Sequence, residues 1–104
     1  MRDAMIFAAI EHTQPAAELW THIARRLRGQ PRAEALTIAA VAYCLHGDTV
    51  RAGIAIDTAL EEAHTAHAPA PRLTQLLLTA LRAGIPPEQI RRVIVDSATQ
   101  PGHD

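Results

Sequence analysis

Apolar positions along this chain recur every three, four and seven residues, the spacing that lays them on one face of a helix. The clearest case is the stretch 36–60, LTIAAVAYCLHGDTVRAGIAIDTAL. Leu36, Ala39, Ala40 and Tyr43 form one face, and Ala52, Ile56, Ala59 and Leu60 form another. His46-Gly47-Asp48-Thr49 punctuates the two. Gly47 suits the left-handed position that closes a helix, and Asp48 or Thr49 suits the N-cap of the next. A link this short makes the helices antiparallel neighbours. Ala40, Ala52 and Ala59 let their backbones approach closely, and Tyr43 adds contact area. The register is that of a tetratricopeptide hairpin at the Tyr, the turn Gly and the two Ala, while the Trp, the Gly and the closing Pro of that pattern are absent.

The same spacing predicts helices on either side. Residues 2–11 form a short one, with Met5, Ile6, Ala9 and Ile10 inward. Pro15 opens a second over 15–28, with Leu19, Trp20, Ile23, Ala24 and Leu27 on its inner face. Gly29-Gln30-Pro31 reads as a breaker before the central hairpin, whose second helix frays near 64–68. After Pro69-Ala70-Pro71 comes a leucine-rich helix over 71–82, stopped by Gly84. Pro87 then starts a last helix, with Ile90, Val93 and Ile94 inward. Leu36-Thr37 and Gly47 recur 37 positions later as Leu73-Thr74 and Gly84. The last two helices thus read as a degenerate copy of the hairpin. The expected fold is all-α: about six short helices stacked as antiparallel hairpins, a tetratricopeptide-like small α-solenoid. It forms a single helical domain over residues 1–98, with a disordered tail at 99–104.

Composition supports the helical reading and narrows the function. Twenty-one of the 104 residues are Ala, the strongest helix former, and only Phe7, Trp20 and Tyr43 are aromatic. The formal charge of −1 gives no bulk attraction to nucleic acid or an anionic membrane. One cysteine, Cys44, excludes an internal disulfide and reads as a small buried hydrophobe. No leader pattern and no long apolar run is present, so the expectation is a cytoplasmic protein with no membrane partner.

The run Leu19-Trp20-Thr21-His22-Ile23-Ala24-Arg25-Arg26-Leu27 is followed by the turn Gly47-Asp48. Next come the helix from Arg51-Ala52 to Ala59-Leu60 and the closing Ala83-Gly84-Ile85-Pro86-Pro87. Together these resemble the C-terminal helical part of the actinobacterial domain of unknown function 4192 family, over roughly residues 2–91. Members of that family are longer, with a part preceding this region. The resemblance implies no activity, no cofactor and no catalytic residue.

Candidate chemistry is sparse. His64 and His67 are three apart, and Cys44 and His46 two apart, but zinc needs three or four convergent ligands, and no metal site is expected. Ser97 is the one serine, the glycines are isolated, and Glu61-Glu62 reads as a solvated acidic pair. No enzyme and no cofactor is expected. Arg25, Arg26, Arg28 and Arg32, with no acid between Leu19 and Arg32, form a patch suited to an anion or an acidic partner helix. Leu78 falls off the face filled by Leu73, Leu76, Leu77 and Leu81, which marks it as an interface point. The primary reading is a non-enzymatic helical interaction module that binds a protein partner or itself as a homodimer. The alternative is a DNA-binding helix-turn-helix at 73–97. There Ala80, Gly84, Ile85, Ile90 and Val93 hold the motif's spacing, and Gln89, Arg91 and Arg92 read the duplex.

Overall fold

The structure, a computed structural model, describes residues 13–99, with side chains from Pro15 to Asp96. The helix expected over 2–11 and residues 100–104 of the expected tail lie outside the described residues. Within them the chain is all-α, with five helices: α1 (Thr13–Ala24), α2 (Gly29–Leu45), α3 (Thr49–Thr65), α4 (Arg72–Arg82) and α5 (Pro87–Thr99). The last of these takes in Thr99, which the sequence assigned to the tail.

Helix α2 is the centre. Ten of its seventeen residues are buried, from Ala33 to Cys44, so it has no solvent stripe of the usual width. A helix apolar all round must be enclosed by others. Helices α1 and α3 cover two of its sides, and α4 with α5 a third. Its N-terminal half packs with α1 and the end of α3, through Ala24, Ala33, Ala35, Leu36, Ala59 and Ala63. Its C-terminal half packs with α3, α4 and α5, through Ala40, Val41, Cys44, Ala52, Ile56, Leu77, Ile90 and Ile94. Burying a side chain the size of Ile56 or Leu77 contributes about 2 kcal/mol.

The α2–α3 turn forms as its residues predict. Gly47 sits at φ 92. Its N–H donates to the Cys44 carbonyl at 3.0 Å, and that of Asp48 to the Tyr43 carbonyl at 2.8 Å. This pair of bonds is a Schellman closure. The Asp48 carboxylate then accepts from the Arg51 N–H at 3.0 Å and caps α3. Helix α4 closes in the same way at Gly84, with Ile85 donating to Ala80 at 3.1 Å. Helix α3 does so at His67, a non-glycine residue held at φ 55.

Several boundaries differ from the sequence reading. The second predicted helix ends at Ala24 and not at Arg28, so Arg25, Arg26 and Arg28 lie on the connection into α2. Gly29-Gln30-Pro31 does not separate elements. It is the first turn of α2, where Pro lacks only an N–H that the helix leaves unpaired. The buried face of α1 is Ala16, Ala17 and Ala24 with Trp20 beside them, and Leu19 stands 55% exposed. Tyr43 turns towards α1, where its hydroxyl meets Thr21 Oγ1 at 3.1 Å. Helices α4 and α5 diverge from the Gly84 turn and do not pack along their length as the central pair does.

The 37-residue offset also separates two residues that touch. Thr37 and Thr74, equivalent under the 37-residue offset, are both buried, and their hydroxyls are hydrogen-bonded to each other. Thr37 Oγ1 donates to the Ala33 carbonyl at 2.8 Å. It is therefore the acceptor in the Thr pair, and Thr74 the donor.

Candidate functional site

The divergence of α4 and α5 leaves a small, open groove. Leu76, Leu77 and Ala80 of α4 line one wall, Ile90, Val93 and Ile94 of α5 the other, and Ile85 the end at the turn. Every lining residue is apolar. Leu77, Ile90 and Ile94 form the floor and continue into the core. Leu76, Ile85 and Val93 form the rim and are 40%, 36% and 48% exposed. Gly84 and the Pro86-Pro87 pair hold the groove open. Ile85 and Pro86 precede prolines and are disfavoured from helical geometry, so α5 begins displaced from the end of α4.

Leu78, singled out as the leucine left over on α4, is half-buried against the core. The exposed leucine of that helix is its neighbour Leu76, because Thr74, Leu77 and Ala80 define the buried face. Gln89, Arg91 and Arg92 are exposed on α5, alongside Glu88, Val93 and Asp96.

The four arginines do not act as one patch. Arg25, Arg26 and Arg28 are exposed. Arg32 is half-buried and paired with Glu62, its guanidinium nitrogen 3.6 Å from Oε2, while its Nε is buried with no hydrogen-bond partner. Glu62 Oε1 accepts from the Gly29 N–H at 2.7 Å. A carboxylate of α3 thus caps the N-terminus of α2, where the helix dipole favours negative charge. Sequence reasoning missed this role by giving Glu62 to a solvated pair. The available signal was register: Glu62 lies between Ala59 and Ala63, both buried against α2.

The remaining chemical candidates do not converge. Burial pushes the Cys44 thiol up from its ordinary value of 9.0, which keeps it protonated and a poor nucleophile. Ser97 lies in the last turns of α5. His67 leaves the helix in its left-handed conformation, so it does not share a helical face with His64. Among the described residues no group of three or more His, Cys, Asp or Glu is placed to hold a metal ion. No helix there is long and apolar enough to cross a membrane.

No curated protein and no solved structure matches this chain. A family model does. It is that of the domain of unknown function DUF4192, and it matches residues 1–88, from the N-terminus through the central hairpin and α4 to the first turn of α5. That span covers most of the 104 residues, and the chain belongs to the DUF4192 family.

Proposed function

We propose that this chain is a non-enzymatic helical interaction module whose α4–α5 groove receives the apolar face of a protein helix. The observation that carries the reading is the groove itself, lined by apolar side chains alone and rimmed by Leu76, Ile85 and Val93 at the surface. Apolar grooves between helices take amphipathic helices through anchors spaced i, i+3/i+4 and i+7. Contiguous apolar surface of this kind marks interaction sites more often than single exposed leucines do. The same proposal takes the central hairpin as tetratricopeptide-like and α4–α5 as its degenerate second copy. The matched Gly47 and Gly84 closures and the Thr37–Thr74 pair support that kinship. The test is a methyl NMR titration with a designed amphipathic helical peptide. Shifts confined to Leu76, Ile85 and Val93, and lost in Val93→Glu, are expected. No shifts, or shifts elsewhere, would defeat the reading.

A DNA-binding reading is favoured by one observation, the divergence of α4 and α5 about a glycine turn with Gln89, Arg91 and Arg92 exposed on the second helix. Glu88 and Asp96 on that helix oppose it electrostatically. It predicts retardation of duplex DNA at low salt, weakened steeply by added salt and by Arg91→Ala with Arg92→Ala. No retardation at low salt ends it.

A further inference from the structure

We propose that the exposed face of α1 and its connection into α2 form a second docking surface, for an acidic segment of a partner protein. The surface is built from other helices than the α4–α5 groove and does not rest on the reading of that groove. Its centre is Arg25, Arg26 and Arg28, three exposed cations within four residues. None of them has an ion-pair partner among the described residues. Arg32, by contrast, is already matched by Glu62. Helix dipoles account for only part of this cluster. Arg25 and Arg26 follow the C-terminal end of α1, where a cation is favoured. Arg28 is the N-cap of α2, at the positive end of that helix, and its side chain makes no cap hydrogen bond. A short side chain with an oxygen is preferred there, and α2 takes that oxygen from Glu62 of α3 instead. Arg28 therefore answers no local need.

The backbone that carries these arginines is ordered. The Arg25 and Arg26 N–H groups donate to the Thr21 and Ile23 carbonyls at 3.3 and 3.0 Å. Leu27 packs against the alanine cluster between α1, α2 and α3, and Glu62 holds Gly29. Cations presented from a fixed backbone lose less freedom on binding, and a planar guanidinium takes a carboxylate through two parallel hydrogen bonds. The adjoining face of α1 says what else the partner carries. Leu19, 55% exposed, lines up with the exposed His22 and Arg26, three and seven positions on. Glu18 stands exposed beside Leu19. A nucleic-acid strand, charged along its whole length, would meet that carboxylate. A protein segment with acids at one end and an apolar side chain at the other meets the arginines and Leu19 and leaves Glu18 in water. Charge thus favours a carboxylate-bearing protein segment over a uniform polyanion.

Fluorescence anisotropy with the full chain tests this. The probe is a labelled alanine-based helical peptide with leucines at one end and glutamates at the other. Saturable binding that weakens with salt is expected, with little binding of the same peptide carrying Gln for each Glu. Arg26→Glu with Arg28→Glu should abolish the binding. Leu19→Gln should weaken it several-fold, and neither variant should change the far-UV circular dichroism spectrum, since all three side chains are already exposed. Arg72→Gln with Arg82→Gln, which removes two exposed cations of α4, should leave it within twofold. No binding at low salt overturns the proposal, as does equal binding of the Gln peptide, equal loss in the α4 variant, or tighter binding of single-stranded DNA. Binding lost in Val93→Glu and kept in Arg26→Glu with Arg28→Glu belongs to the groove. That result defeats this surface and leaves the groove reading standing.

Discussion

The central hairpin and the α4–α5 pair end their first helices in the same way, yet one closes and the other stays open. Gly47 and Gly84 both take a left-handed conformation, and both are followed by the same pair of closing hydrogen bonds. What differs is the residues beyond the turn and those facing each other. After Gly47 comes Asp48, which caps α3 at once. After Gly84 come Ile85 and Pro86, held out of helical geometry by the prolines that follow them. Across the central interface the contacts are Ala40, Ala52, Ala55 and Ala59, small enough for two backbones to meet. Across the other stand Leu76, Leu77, Ile90 and Val93. A turn motif thus sets direction, and side-chain size decides whether the two helices seal.

The largest expected effect is in the sealed region. Ile56 is fully buried between α3 and the shared core. Ile56→Ala leaves a cavity among alanines that cannot expand to fill it, and should cost about 3 kcal/mol. Chemical denaturation monitored by circular dichroism measures it. A loss below about 1 kcal/mol would mean that the alanine-rich interface relaxes more than close packing allows.

Next comes the contact that joins the two regions. Thr37 donates to Ala33, and Thr74 donates to Thr37. Thr37→Val therefore strands the Thr74 hydroxyl and should cost about 2 kcal/mol. Thr74→Val leaves Thr37 bonded to its own helix and should cost less, about 1 kcal/mol. The double variant, with both hydroxyls gone, should be less damaging than the sum of the two. Additive losses would show that the hydroxyls contribute independently.

Much of this fold was legible from spacing alone, because glycine, proline and alanine act locally. The turns at Gly47 and Gly84, the start at Pro87 and the Asp48 cap need nothing from distant residues. The contact between Thr37 and Thr74 was not legible, since their 37-residue spacing carries no direction. The helix expected to end at Arg28 stops at Ala24, and the chain then feeds Gly29 to Glu62, a contact 33 residues away. Long-range capping of this kind leaves no local spacing signal. The groove was half legible. The leucines of α4 announced a surplus, but whether Leu76 or Leu78 is exposed depends on where α2 and α5 lie, which α4's own sequence does not contain.

Glu62 offers the next test, smaller because its partners are part-exposed. Glu62→Ala removes both the cap on α2 and the Arg32 pair, and should cost about 1 kcal/mol, with most of the loss in the first turn of α2. Amide hydrogen exchange locates it. Faster exchange from Gly29 to Ala33, with α4 and α5 unchanged, is expected. Equal acceleration across all helices would mean that Glu62 supports the whole body and not one helix end.

The smallest effect sharpens the comparison most, because it contrasts two adjacent leucines on one helix. Leu77 is 1% exposed and belongs to the shared core, while Leu76 is 40% exposed on the groove rim. Leu77→Ala should cost about 3 kcal/mol. Leu76→Gln, measured at dilution low enough for the chain to be monomeric, should stay within about 0.5 kcal/mol of the parent. Its rim position leaves little surface to return to water, and a glutamine there can hydrate. If Leu76→Gln proved as destabilising as Leu77→Ala, the rim would be part of the core, and the groove would be an unfilled seam and not a surface held open for a partner.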